Sequence, residues 1–309
     1  MTPDFVFIAG MEKSGTTALA SWLVDNGLAR FSVPGVKEPH TYLLPGTMQL
    51  PPAELPWLDA SASYAMSPDA IARLPQHRTK IVLCLRNPLQ RAWSAYRMKK
   101  IAALGGAAAS QLHAEYTHHA GCFSSKTPAG EPSDTSTLNV LRDISLLFFP
   151  RASAPHVERH FAAEAQRLRT TTFADRAAYE MRFMLSRRAF PFLSMLEGSF
   201  CYNGLRAIAD RYCAQDIILV SLNRLHTSEG RAGFLHRLLG RTPTTEPVPF
   251  AFSSQDVPLD ELPPDYTAPA LSTLRDALTY DLQQCMHLIA SCGIADDLLD
   301  LNALHRHLQ

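Results

Sequence analysis

Near its start the chain runs Lys13-Ser14-Gly15-Thr16-Thr17, placing a cation, three hydroxyls and a glycine side by side between an apolar run and an amphipathic one. That chemistry suits a phosphate or sulfate. If the amphipathic run is a helix, the backbone N–H groups of Gly15, Thr16 and Thr17 open its first turn. Unpaired N–H groups and the positive end of the helix dipole favour an anion there. A second pair of anion-binding side chains, Arg86 and Ser94, stands eight positions apart further along the chain. Arg offers a planar fork of donors and Ser a hydroxyl.

The elements that must position these residues are readable from spacing. Residues 5–9 are apolar and rich in strand formers, and Leu19, Trp22 and Leu23 are spaced to share one helical face. Residues 81–85 read as a buried parallel strand. Asn87-Pro88 breaks it, and Leu89, Ala92, Trp93 and Tyr96 continue with helical spacing. Arg86 thus falls at the carboxyl end of a strand and Ser94 about two turns into the next helix, both on the open side of a sheet. Gly10 and Gly15 match the two glycines of the nucleotide-triphosphate loop G-x-x-x-x-G-K-[ST], but Thr16 occupies its lysine position. An ATP or GTP hydrolase is therefore disfavoured.

Together the two elements resemble those of the sulfotransferases that use 3′-phosphoadenosine 5′-phosphosulfate (PAPS). Lys13 to Thr17 match that family's K-[ST]-G-T-[TA] 5′-phosphosulfate loop, and Arg86 with Ser94 match its 3′-phosphate element. Residues 85–96, LRNPLQRAWSAY, look most like the heparan-sulfate and bacterial carbohydrate or natural-product branch, with its LR[DN]P-x-x-R-x-x-S-x-Y pattern. The resemblance implies a P-loop-like three-layer α/β/α fold with a central parallel sheet. It also implies PAPS as co-substrate without a metal requirement, and a hydroxyl of a saccharide or secondary metabolite as acceptor. Lys37-Glu38-Pro39-His40 is similar to the segment that carries the branch's catalytic glutamate, which assigns that role to Glu38. Tyr202, near the start of the late helix-and-strand region 198–225, is in the place of a tyrosine that touches nucleotide in relatives.

Sulfuryl transfer needs the acceptor hydroxyl deprotonated and the charge on the departing phosphate stabilised. Glu38 suits the first task and Lys13 the second, with no covalent enzyme intermediate required. His40 is the alternative base, since an imidazole titrates near neutrality.

Two departures qualify the resemblance. In residues 58–68, Asp59, Ser61 and Tyr64 match the branch's E-K-[ST]-P-x-Y-[FL] segment, but Ala60 replaces its lysine. That leaves either a different acceptor geometry or another basic residue, such as Arg91 or Lys99, reaching in. Residues 250–266 hold no basic residue where the family has a basic closing loop. Closure must differ, or Ser253, Ser254 and Gln255 supply neutral donors. A kinase-like phosphotransferase and a non-catalytic nucleotide-binding protein are the two other classes left open.

Residues 101–197 are read as a helical insertion, an acceptor-binding cap within one domain spanning 1–309. Within it, Gly105-Gly106 and 124–136 are loop-like, whereas 138–149, 156–168 and 177–196 have helical periodicity. Tyr179, Met181, Phe183, Met184 and Phe190 are either an apolar acceptor wall or packing within the cap. His118-His119 and His156 with His160 lack the matched Cys or carboxylate pattern of a metal site.

At 309 residues and 46% hydrophobic, the chain can bury a full core. Lys plus Arg equals Asp plus Glu at 29 each, which argues against nucleic acid as a partner. The six cysteines show no C-x-x-C spacing and read as reduced thiols. No secretory leader fits the N-terminus and no run of about 20 apolar residues occurs. Expected from this is a bacterial-type cytoplasmic enzyme without a membrane partner.

Overall fold

In a computed structural model, residues 2–46, 50–118, 137–149, 153–243, 245–248 and 257–308 are described. Among them, the apolar runs form the strands Phe5–Gly10 (β1), Arg30–Phe31 (β2), Trp57–Asp59 (β3), Thr79–Cys84 (β4) and Ile217–Val220 (β5). All pairings are parallel, in the order β2-β3-β1-β4-β5. The helices are Thr16–Asp25 (α1), Pro68–Arg73 (α2), Pro88–Leu104 (α3), Gly106–His118 (α4), Thr137–Leu147 (α5), Ala154–Thr170 (α6), Phe173–Arg187 (α7), Tyr202–Ala209 (α8), Ser228–Leu239 (α9), Ser272–Cys292 (α10) and Leu301–His305 (α11).

Side chains alternate across a strand, so a sheet buried on both faces must feed two cores. Val6, Ile8, Leu58, Val82, Ile218 and Val220 pack with Leu19, Trp22 and Leu23 of α1 and with Phe234 and Leu238 of α9. Phe7, Ala9, Ile81, Leu83, Ile217 and Leu219 point the other way, toward Ile71 of α2, Trp93 and Tyr96 of α3, Leu205 and Ile208 of α8, and Leu274 and Leu278 of α10. Helices therefore cover both faces of a parallel sheet, the layered α/β solution. Each fully buried aliphatic side chain contributes about 1.5–3 kcal/mol.

The sheet order creates a switch point. From β1 the chain crosses toward β2 and β3, whereas from β4 it proceeds to β5 on the opposite side. The carboxyl ends of β1 and β4 thus flank the crevice where open α/β sheets take ligands. Asn87 caps α3, its side chain accepting from the Gln90 N–H at 3.0 Å, and Pro88 sits in the first turn where its missing N–H is not needed.

The insertion shares the main core. Phe161, Ala165 and Leu168 of α6 and Phe173, Ala177 and Met181 of α7 belong to the cluster that contains Trp93 and Tyr96. Met184 and Phe190 pack against that cluster, so this part of the apolar wall is packing. Helical periodicity was expected through residue 196, but α7 stops at Arg187. Arg188 adopts φ 54°, and Pro191 lacks the N–H a helix would need.

Two ion pairs centre on Arg176, itself 0% exposed. Its Nε lies 2.6 Å from Glu180 Oε1 and its Nη1 2.5 Å from Glu164 Oε2. Glu180 also accepts from Ser194 Oγ at 2.6 Å and from the N–H groups of Met195 and Leu196 at 3.0 Å. Residues 193–199 are thereby tied to α7 as a strap that leads into α8. The stretch 124–136 and the residues Ser253, Ser254 and Gln255 lie outside the described residues. No helix among those described is long and apolar enough to cross a membrane.

Candidate functional site

The β1–α1 loop stands at the switch point. Met11 N–H donates to the Cys84 carbonyl at 3.0 Å, extending the β1–β4 ladder, and Ser14 N–H turns back to the Met11 carbonyl at 3.1 Å. Lys13 and Gly15 both have positive φ, 65° and 95°, which bends the loop back on itself before α1 begins. Gly15 is required twice over. Its backbone angle favours glycine, and a Cβ there would lie 2.6 Å from Leu222 Cδ2. Thr16 and Thr17 open α1, where first-turn N–H groups have no intrahelical acceptor. The Ser14 hydroxyl is buried and has no hydrogen-bond partner among the described residues. An unmatched buried donor in such a loop fits an anion with oxygens to receive it.

Cations converge on this loop. Lys13 is half-buried, and burial pushes its ammonium down to about 8. Glu12 pulls the other way, whereas Arg86, Lys99 and Lys37 add to the depression. Arg86 is exposed at the end of β4, its Nη1 donating to the Lys13 carbonyl at 3.4 Å. Ser94 is only 4% exposed in α3, so of the expected pair Arg86 alone is presented to solvent beside the loop.

The segment between β2 and β3 brings the candidate base to the same place. Lys37 is fully buried. Its Nζ donates to Thr16 Oγ1 at 3.3 Å and pairs closely with Glu38 Oε1. Lys37 is thus the bridge between the anion loop and Glu38, whose Oε2 lies 3.7 Å from His40 Nε2. The Lys37 carbonyl accepts from Ala60 N–H at 3.0 Å, which docks the segment on the residue that follows β3. His40 has φ 52°, and its Nδ1 lies 3.0 Å from Ser63 Oγ. Burial lowers the imidazole, Glu38 opposes this and Lys37 adds to it, which favours the neutral ring.

Asp59, Ser61 and Tyr64 form one network under this segment. Asp59 accepts from Ser61 Oγ at 2.6 Å and from Tyr64 OH at 2.8 Å, and Ser61 Oγ accepts from His40 N–H at 3.0 Å. Burial pushes the Asp59 carboxyl up to about 6 despite those hydrogen bonds. Its contacts make it a brace for the His40 backbone.

Arg91 and Lys99 reach the loop from α3, through Glu12. Glu12 Oε2 lies 2.9 Å from Lys99 Nζ and 3.7 Å from Arg91 Nη1, and Arg91 Nη1 also donates to the Glu12 carbonyl at 3.3 Å. Burial acts to raise the Glu12 carboxyl, but Lys99, Arg91 and Lys13 together outweigh it and hold it below the usual carboxylate range.

Tyr202 opens α8, its N–H directed at Asp281 of α10 at 3.3 Å, within the apolar layer below the sheet. The described part of the expected closing region, from Val257 on, is pinned to α3 by its acid. Glu261 Oε2 accepts from Tyr96 OH at 2.5 Å and Lys100 Nζ at 2.9 Å, and Oε1 accepts from Phe173 N–H at 2.8 Å. His156 and His160 lie with ring centres 4.2 Å apart and ring planes tilted by 60° on α6. No group of three or more His, Cys, Asp or Glu gathers to hold a metal among the described residues.

Sequence reasoning placed Lys13, Glu38, His40 and Arg86 in one neighbourhood but missed Lys37 and Glu12. The available signal was charge adjacency, Lys37 beside the candidate base and Glu12 beside the loop lysine. No family model matches the sequence, and no curated protein matches it.

Proposed function

We propose that the protein is a PAPS-dependent sulfotransferase on a P-loop-like fold, acting on a hydroxyl of a saccharide or secondary metabolite. The observation that carries the reading is the buried Lys37, which joins Thr16 of the anion loop to Glu38. A carboxylate one side chain away from an anion cradle is the arrangement a group transfer to a hydroxyl requires. Thr16 in place of the triphosphate-loop lysine separates this cradle from that of an ATP or GTP hydrolase.

PAPS supplies an activated sulfuryl group whose S–O bond to phosphate breaks as the acceptor oxygen bonds to sulfur. In this reading Glu38 takes the acceptor's proton, and Lys37 keeps the carboxylate turned toward the loop. Lys13, with the N–H groups of Gly15, Thr16 and Thr17, faces the charge that grows on the departing phosphate. Arg86 receives the 3′-phosphate, an exposed fork beside the Lys13 carbonyl. His40, braced by Ser61 and Ser63, orients Glu38 or accepts the proton in its place.

The test is thermal unfolding with 3′,5′-ADP, the product nucleotide, beside ADP and ATP with magnesium. A ligand at a hundred times its dissociation constant adds about 2.7 kcal/mol, a rise of several degrees. The expected result is stabilisation specific to 3′,5′-ADP, followed by sulfate transfer from PAPS in an acceptor screen. Stabilisation by ATP with magnesium alone would instead favour a phosphotransferase. Binding of 3′,5′-ADP without sulfate transfer to any acceptor or to water would favour a non-catalytic nucleotide-binding protein.

A further inference from the structure

The last residues of the chain run along the carboxyl ends of β5 and β4, beside the exposed Arg86. The Leu298 carbonyl accepts from Ser221 N–H at 3.0 Å, directly after β5, and Asp300 N–H donates to Ser221 Oγ at 3.1 Å. Asn87, the neighbour of Arg86 and 2% exposed, then gathers the end of α11. Its Nδ2 lies 3.3 Å from the Ala303 carbonyl, 3.1 Å from that of Leu304 and 2.6 Å from that of Arg306. One amide whose two N–H donors serve three carbonyls fixes this stretch of backbone in place. Leu304 and Leu308 are buried in the main core, and the Leu308 carbonyl accepts from Thr279 Oγ1 of α10 at 3.1 Å. With its leucines facing in, the segment leaves Arg306 and His307 exposed. The His307 ring centre is 5.5 Å from that of Tyr266, which is half-buried. Burial pushes the Tyr266 phenol up to about 12 and Arg86 opposes the rise, so phenol and guanidinium are within electrostatic reach of each other.

We propose that the C-terminal segment supplies a second anion contact beside Arg86: Arg306 and His307, backed by Tyr266, take a phosphate group of a nucleotide whose other phosphate lies in the anion loop. That this group is a 3′-phosphate rests on the sulfotransferase reading. A nucleotide phosphorylated at two places needs a cation outside the loop for each group the loop does not hold. Residues 250–266 contain no basic residue, and Glu261 among them is turned to Tyr96, Lys100 and the Phe173 amide. Arg306 meets the need. Its backbone is tied to the residue next to Arg86, and its guanidinium is exposed and has no partner among the described residues. A planar fork on a fixed backbone suits phosphate oxygens. Asp265, a carboxylate within reach of His307, accepts from Thr267 N–H at 2.9 Å and Thr267 Oγ1 at 2.6 Å, so its charge is engaged elsewhere.

The experiment is calorimetric titration of the full chain with 3′,5′-ADP, ADP and inorganic pyrophosphate. It compares the wild type with Arg306→Ala and His307→Asn. Both side chains are exposed, and Asn tolerates the φ of 64° at His307, so both variants should keep the fold. Arg30→Ala, which removes an exposed cation from β2 at the other edge of the sheet, controls for net charge. Arg306→Ala should weaken 3′,5′-ADP about tenfold, the low end for a charged hydrogen bond, and His307→Asn should weaken it less. Arg30→Ala should leave it unchanged. A loss that spares ADP assigns the contact to the 3′-phosphate, an equal loss assigns it to the 5′ side, and either supports the contact. Wild-type affinity for 3′,5′-ADP in both variants would overturn it and leave the sulfotransferase reading standing, as would an equal loss in Arg30→Ala. A wild type that binds ADP or pyrophosphate in preference to 3′,5′-ADP, with that binding weakened in Arg306→Ala, would sink the sulfotransferase reading and keep the contact. Binding of none of the three would sink both.

Discussion

Two clusters of buried charge lie on either side of the strap, and they are built in opposite senses. In the insertion, Arg176 sits between the carboxylates of Glu164 and Glu180, and Arg167 Nε, 3.7 Å from Glu164 Oε1, supplies the second cation that balances them. At the anion loop, one carboxylate, Glu12, sits between the cations Lys99 and Arg91. There the cations Lys13, Lys37, Arg86, Arg91 and Lys99 outnumber Glu12, Glu38 and Glu197. The first cluster is closed: its charges satisfy one another, and Arg176 is completely buried. The second is open and carries surplus positive charge, which adds to burial in depressing the Lys13 ammonium. A surplus of one sign in a half-buried crevice is costly unless something of the other sign arrives. The difference separates a charge group that is matched within itself from one in which cations outnumber carboxylates.

The comparison can be broken most decisively at the closed cluster. Arg176→Met leaves Glu164 and Glu180 buried without their cation, and should cost about 3–5 kcal/mol of stability. Thermal unfolding should then fall by about 10 °C for a chain of this size. A loss below about 1 kcal/mol would mean that the triad contributes nothing to the fold. At the open cluster the expected loss is in rate. Glu38→Gln should lower turnover about a thousandfold while 3′,5′-ADP still stabilises the protein, since a positioned base contributes about 10²–10⁴. Near-normal turnover would shift the base to His40. The smallest effect is expected at Arg86, where replacement by Ala should weaken 3′,5′-ADP about 10- to 100-fold relative to ADP, the size of a charged hydrogen bond. Equal losses for both nucleotides, by calorimetry, would remove Arg86 from the 3′-phosphate.

What the sequence made legible was local. The apolar runs that became β1, β4 and β5, the helical spacing of Leu19, Trp22 and Leu23, and the Asn87-Pro88 break all depend on neighbours within a turn or a strand. Arg86 at a strand end follows from the same reading, and the parallel sheet then brings it beside Lys13. The rest depends on contacts across long stretches of chain, which periodicity does not encode. Glu12 meets Lys99 and Arg91 only because α3 packs beside the loop, and Lys37 meets Thr16 only because β3 adds next to β1. Ser94 had the right spacing, but helix packing buried it. The early end of α7 was written in Pro191, a residue that apolar periodicity passes over. Nor did the sequence show what Glu261, in the stretch 250–266 that lacks a basic residue, is for: it docks on Tyr96, Lys100 and the Phe173 amide.

Gly15 and Leu222 are far apart in the chain, one just before α1 and the other following β5, yet the leucine fills the space that a side chain on Gly15 would need. Their freedom to vary over evolutionary time is therefore unequal. Leu222 can shrink in any lineage, at the cost of a small void over the loop. Gly15 cannot take advantage of that space, because its backbone angle excludes a side chain even after the leucine is gone. The constraint at this pair is one-sided: the turn after β5 can change in size, while the loop must keep its glycine.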